Sequence, residues 1–203
     1  MAIKVANNQS LTAITALPSA ISGGAMTLLS TQTASSSSTI DFTSGIDSTY
    51  DEYVFKFYNC HPATTGGVLH FQANASGGSG YNETITSTGF YCIQREDASY
   101  TDLSYQAGFD QAQGTGYNLL SGDIKNDNDA SCSGQLILYA PSSTTYVKHF
   151  IATFEAVSNA SPPYATNVFT AGYINTTSAI DEIQFKMSSG NIDAGTIKMY
   201  GIK

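Results

Sequence analysis

Tryptophan is absent from this sequence, and charged residues make up only 12% of it, about half the share usual in soluble proteins. Eight Lys and Arg residues stand against sixteen Asp and Glu residues, for a formal net charge of -8. Nucleic-acid binding depends on clustered basic side chains that contact phosphates, so we expect no nucleic-acid partner. Hydrophobic side chains still account for 41% of the 203 residues, which is enough to bury a core.

Long apolar runs and a patterned set of cysteines are missing as well. The sequence has no stretch of eighteen apolar residues, and its opening MAIKVANNQS has no sustained hydrophobic region, so we expect neither a membrane span nor a secretory signal. Cys60, Cys92 and Cys132 are an odd number at wide spacings, which fits neither a disulfide framework nor a zinc site. We therefore expect three reduced thiols.

Short runs of β-branched and aromatic residues, separated by Ser, Gly, Asn and Asp clusters, follow from residue 26 onward. They predict ten strands, at residues 26–31, 39–42, 53–58, 68–73, 89–93, 135–139, 146–154, 167–173, 182–187 and 195–200. Period-two alternation puts Tyr53, Phe55 and Phe57 on one inward face. We predict an all-β fold, an antiparallel β-sandwich of jelly-roll type that forms a single domain over residues 26–203.

Residues 1–25 are predicted to form an extended N-terminal arm. Four of its apolar residues recur every three or four positions: Leu11, Ile14, Leu17 and Ile21. A segment of this length buries too little surface to fold alone, so we predict that these residues anchor the arm on a partner.

The stretch 96–133 has little strand signal apart from 103–105, and we predict long loops there, where binding sites are common. Four aromatic residues of this stretch are candidates for ligand-binding loops: Tyr100, Tyr105, Phe109 and Tyr117. Tyrosine suits such loops because it offers contact area and a hydrogen-bonding hydroxyl. A small satellite core under the loops is the alternative.

An acidic cluster in the same stretch, Asp123, Asp127 and Asp129, is a weak candidate for a calcium site. Counted from Asp127, however, Cys132 stands where a calcium loop needs its turn glycine. A solvated turn whose side chains cap their own backbone is the alternative, and we expect no metal.

Catalytic motifs are missing from the sequence. Three histidines offer general bases, His61, His70 and His149, but no G-x-S-x-G, S-x-x-K or H-E-x-x-H motif accompanies them. Four acidic residues offer carboxylates for glycoside hydrolysis, Glu83, Glu96, Asp97 and Asp102, although such pairs arise by chance in an acidic protein. We expect no enzyme activity and no cofactor.

Four runs of the sequence carry a resemblance to a known group of proteins: SSSSTIDFTSGIDSTYDEYVFKF at 35–57, YNETITST at 81–88, PSSTTYVKHFIA at 141–152 and FKMSSGNIDAGTIKMYGIK at 185–203. These runs resemble virion proteins of marine tailed bacteriophages. The resemblance extends over most of the chain from residue 26. Proteins of that group are described as capsid decoration, cement or tail-associated structural proteins, and the resemblance implies no catalytic residues.

The resemblance implies a non-enzymatic virion structural protein that is assembled in the cytoplasm of a bacterial host. A capsid decoration or cement protein attached through its N-terminal arm is the first expectation. A tail-associated protein that binds a receptor or host surface glycan is the alternative. We expect other capsid or tail proteins as partners, and no membrane. Exposed edge strands favour pairing between copies, so we also expect a homo-oligomer, for which a trimer is one arrangement.

Overall fold

The structure is a computed structural model that describes residues 26–203, and these residues form an all-β fold. The described strands are β1 (Thr27–Ser37), β2 (Ile40–Phe42), β3 (Glu52–Pro62), β4 (Leu69–Ala75), β5 (Ile85–Arg95), β6 (Thr101–Tyr105), β7 (Gln111–Gly114), β8 (Asn118–Leu119), β9 (Cys132–Tyr139), β10 (Lys148–Val157), β11 (Tyr164–Ile174), β12 (Ile180–Met187) and β13 (Ile192–Ile202). A short 3₁₀ helix spans Ala107–Phe109. No helix in this part of the chain is long and apolar enough to cross a membrane.

The strands form two antiparallel sheets. The larger sheet has nine strands in the order β1-β13-β3-β9-β10-β11-β5-β6, and β7 also pairs with β5. The smaller sheet has four strands in the order β2-β12-β4-β8. Each of the ten strands predicted from the sequence overlaps one of these strands.

Aromatic side chains from the two sheets meet in one core. The ring centroid of Phe55 on β3 lies 5.3 Å from that of Phe42 on β2 and 5.4 Å from that of Phe185 on β12. Phe71 of β4 likewise lies 5.0 Å from Phe150 of β10. All five rings are at most 2% exposed, and edge-to-face pairs add to the free energy gained by burial. The two sheets therefore pack against each other.

The alternation predicted for β3 is present in the structure. Tyr53, Phe55 and Phe57 are buried, and the ring of Phe57 reaches Phe154 of β10, with 4.8 Å between the centroids. Between them runs β9, where Gly134 pairs with both phenylalanines. A Cβ atom at Gly134 would lie 2.7 Å from the Phe154 ring, so only glycine permits this contact.

The stretch 96–133 is more regular than the long loops predicted for it. It contains β6, β7 and β8 and the first residues of β9. Both β6 and β7 extend the larger sheet by pairing with β5. The sequence of β7, QAQG, carries no strand signal, and that of β6, TDLSY, carries one only at 103–105. Pairing with a long neighbouring strand makes both segments extended.

Candidate functional site

One surface of the nine-stranded sheet carries most of the exposed large apolar side chains. Of ten such side chains in residues 26–203, seven lie on the side of this sheet that faces away from the core: Leu28, Tyr58, Phe90, Leu103, Tyr105, Ile151 and Phe169. Their direction follows from alternation, because neighbours such as Phe57 and Phe150 are buried in the core. We call this surface the apolar face.

Strand register places these side chains next to one another. Tyr105, Phe90 and Phe169 occupy directly paired positions on β6, β5 and β11. The rings of Phe90 and Phe169 stack with 4.9 Å between centroids and 14° between planes. On β10, Ile151 pairs with Ile137 of β9. Contiguous exposed apolar surface of this kind marks an interaction site, which makes the apolar face the main candidate.

A shallow pocket of about 540 Å³ opens on the apolar face. Its outward-facing lining includes Tyr139, His149, Ile151, Ala171 and Tyr173, and the rings of His149 and Tyr173 lie 6.2 Å apart. The side chain of Ala171 is smaller than those of Ile151 and Thr88, with which it pairs, so the surface has a depression at this position. A protruding apolar side chain of a partner fits such a depression.

Two lysines give the apolar face a positive end. Lys56 of β3 pairs directly with Lys198 of β13, and the Lys198 ammonium lies 5.5 Å from the centroid of the Tyr58 ring. Like charges at directly opposed positions are unfavourable, so an acidic partner would relieve them. Glu155 lies on the same face of β10, and burial raises the pKa of its carboxyl.

The three cysteines differ in accessibility. Cys92 is exposed and lies on the apolar face, where it pairs with Leu103. Cys60 and Cys132 are buried and directly paired between β3 and β9. A hydrogen bond with Cys60, together with burial, raises the pKa of the Cys132 thiol. Cys92 is therefore the accessible thiol of the described part.

The structure does not gather the predicted aromatic residues into one cluster. Tyr105 lies on the apolar face, where its hydroxyl donates to the Asp110 carboxylate. Tyr117 lies at the smaller sheet, where its hydroxyl donates to Gln184 and its ring centroid is 4.1 Å from the Lys186 ammonium. These two residues belong to different surfaces.

Tyr164 of β11 lies near Tyr100 and lines a cleft together with Phe109. The ring of Tyr100 is 6.2 Å from that of Tyr164 on β11. Tyr164 and Phe109 both line a cleft of about 290 Å³, and Asp123 also lines it. We call this the overhang cleft, because it lies under β5 and β11, where the larger sheet extends past the smaller one.

The other two acidic candidates have separate surroundings. The Asp127 carboxylate pairs with Lys125 at 2.7 Å, and this hydrogen bond raises the pKa of Lys125. Asp129 lines a polar pocket with His61 and Asp193. Within residues 26–203, no group of three or more His, Cys, Asp and Glu side chains is arranged to hold a metal ion.

The three histidines lie on different parts of the two sheets. His61 faces Asp193, with 3.8 Å from its Nδ1 to the carboxylate. His70 pairs with Lys186 on the smaller sheet, and burial together with the lysine charge lowers its pKa to about 4. His149 lies in the pocket of the apolar face. The arm residues form a separate set outside the described residues: Leu11, Ile14, Leu17 and Ile21.

The apolar face was not predicted from the sequence. From alternation we predicted only one inward face, yet β10 and β11 contain adjacent apolar pairs such as Phe150 with Ile151 and Val168 with Phe169. Adjacent apolar residues in a strand point to opposite faces, so the sequences of β10 and β11 already indicated a second apolar face. Comparisons with known proteins give no further guidance, since no family model, curated protein or solved structure matches the chain.

Proposed function

We propose that this chain is a non-enzymatic structural protein of a bacteriophage virion, a capsid decoration or cement protein attached through residues 1–25. The observation that supports this proposal is the apolar face, a broad surface suited to contact with neighbouring proteins. Such a surface is unfavourable on an isolated subunit and is covered when subunits assemble.

The strand order supports a jelly roll as the architecture of the proposed protein. An eight-stranded jelly roll places its first, eighth, third and sixth strands in one sheet and its second, seventh, fourth and fifth in the other. Without β5–β7 and β10–β11, the described sheets have the orders β1-β13-β3-β9 and β2-β12-β4-β8, which follow the same scheme. The remaining strands are then insertions that widen one sheet.

A second copy of this chain is the proposed occupant of the apolar face. Seven steps between neighbouring strands separate β1 from β6, at about 4.8 Å each, and about four rows of outward side chains cross them. The face therefore measures roughly 34 by 27 Å, or about 900 Å². A stable interface needs about 800 Å² per partner.

The first experiment measures the solution mass by light scattering and the alkylation rate of Cys92. We expect an oligomer in which Cys92 reacts at least tenfold more slowly than in dilute monomer. The matched control is the double variant Cys92→Ser, Ser48→Cys. Position 48 is exposed and lies outside the apolar face, so a thiol introduced there should stay reactive. A monomer at all concentrations, or equal rates at the two positions, would contradict packing through this face.

Attachment through the arm is tested separately. Removing residues 1–24 should abolish incorporation into the virion and leave residues 26–203 folded, as judged by circular dichroism. A truncated chain that still incorporates would contradict this part of the proposal.

A further inference from the structure

The overhang cleft is formed by two walls of different origin. On one side are Tyr91 and Ile93 of β5 and Tyr164 and Thr166 of β11. On the other are residues of the segments around the 3₁₀ helix and after β8, among them Phe109. The cleft therefore lies between the inserted strands of the larger sheet and the chain that covers them.

Hydrogen bonds hold the covering chain in place. The Ser87 hydroxyl donates to the Phe109 carbonyl oxygen at 2.8 Å, and the backbone N–H of Leu120 donates to the Leu69 carbonyl at 2.8 Å. The Ser121 hydroxyl accepts from the Leu69 N–H at 2.9 Å. Because strand residues form one wall and are hydrogen-bonded to the other, the cleft is preformed, as is usual for small-molecule sites.

The lining combines aromatic rings with few polar groups. Three aromatic residues line the cleft, Tyr91, Phe109 and Tyr164, together with Gln106 and Asp123, whose side chains carry an amide and a carboxylate. Asp123 is the only acidic or basic residue of this lining, and it is exposed. Within residues 26–203 no ion pair competes with a ligand for its carboxylate oxygens.

We propose that the overhang cleft binds a single neutral sugar unit. The C–H faces of a sugar ring pack on aromatic side chains, and its hydroxyls donate to carboxylate oxygens and amide carbonyls. The negative charge of Asp123 disfavours anionic ligands. A volume of about 290 Å³ lies at the lower end of the range for ligand pockets, which suits one ring better than a chain of rings.

This inference deepens the glycan-binding alternative and does not depend on whether copies pack through the apolar face. The proposal of packing through the apolar face and the proposal of sugar binding are contradicted by different results. Solution mass and Cys92 alkylation report on packing, whereas sugar binding is read from the ligand's own signals.

Two glycines provide a matched pair of variants. A Cβ atom at Gly108 meets no atom within 4 Å, and Gly108 lines the cleft, so Gly108→Phe places a bulky side chain at the cleft without a clash at its Cβ atom. A Cβ atom at Gly116 also meets no atom within 4 Å, but Gly116 lies outside the lining. Asp123→Asn removes the charge and keeps the size of the side chain.

Saturation-transfer NMR with glucose, galactose, mannose and N-acetylglucosamine tests the proposal on the full chain. We expect at least one sugar to bind the wild type and Gly116→Phe with equal, millimolar affinity. The same sugar should lose at least tenfold in affinity with Gly108→Phe and with Asp123→Asn. Absence of binding by all four sugars below about 10 mM, or unchanged affinity in Gly108→Phe, would overturn the proposal.

Discussion

Phe185 is the aromatic residue on which the contact between the two sheets depends most. Its ring lies 4.9 Å from Phe57, 5.4 Å from Phe55 and 6.1 Å from Phe42, and it is fully buried. Replacing a buried Phe by Ala lowers the free energy of unfolding by about 3 to 5 kcal/mol. Because Phe185→Ala also loses three edge-to-face contacts, its effect should lie near the upper end of this range. We expect the free energy of unfolding to fall by about 4 to 5 kcal/mol.

Urea unfolding measures this change. With a slope of about 2 kcal/mol per molar urea, the unfolding midpoint of Phe185→Ala should fall by about 2 M. Since a loss of this size is a large part of the total stability of a domain, Phe185→Leu provides a milder variant, with an expected loss of about 1 to 2 kcal/mol.

The matched control is Phe169→Ala on the apolar face. Phe169 is 37% exposed and stacks on Phe90, and its loss should cost about 1 to 2 kcal/mol. The comparison is repeated at several protein concentrations, because Phe169 would also affect association of copies. If Phe185→Ala destabilised the chain no more than Phe169→Ala, the argument that the aromatic contacts join the two sheets would be refuted.

Three further predictions concern single residues. Folding lowers the pKa of His70 to about 4, so the unfolded chain binds the extra proton first as the pH falls. The free energy of unfolding should therefore drop by about 2 to 3 kcal/mol from pH 7 to 4.5 through this residue. His70→Gln should remove this contribution, and an identical pH profile in the variant would contradict the prediction. Burial lowers the pKa of Lys148, whose ammonium donates to two backbone carbonyls. The unfolded chain then binds more protons at this site, so the contribution of Lys148 to stability should rise with pH toward the ordinary lysine pKa. Several tyrosines with raised pKa titrate in the same range and act in the opposite direction, so the measured quantity is the difference in unfolding free energy between wild type and Lys148→Met, which should shift in favour of the wild type as pH rises. Gly195 has a φ of +128°, and a Cβ there would lie 2.7 Å from Cys60 Cα, so Gly195→Ala should lower the melting temperature by several degrees, whereas an unchanged value would argue against this close approach.

The strands were the most predictable part of the chain. Runs such as 53–58 alternate strongly because one side faces the core, and period-two burial then follows directly from the sequence. The pairing of β5 with β11 could not be predicted, since these strands are separated by about seventy residues and pairing partners leave no local signal. The two short strands β6 and β7 were missed for the same reason, because β5 imposes their conformation.

The candidate sites were less predictable than the strands. The sequence placed Phe109 and Asp123 in one long stretch, and the structure brings both to the overhang cleft. Tyr91 and Tyr164 complete the cleft from distant strands, and no spacing pattern connects them. Tyr117 was grouped with Tyr105 because both lie in the same stretch, yet the chain between them crosses from one sheet to the other, so sequence proximity did not become spatial proximity.

The position of β13 has a consequence for how the chain folds during synthesis. This strand lies between β1 and β3 in the larger sheet, and Thr27 at the start of β1 pairs with Gly201 near the end of β13. Until residues 192–202 have left the ribosome, β1 has no partner strand among residues 26–203, and β3 has a free edge. Contacts of such long sequence separation form slowly, and exposed strand edges attract other chains. A protein of this design is therefore prone to aggregate before β13 is made, and its yield should respond strongly to translation speed and chaperones.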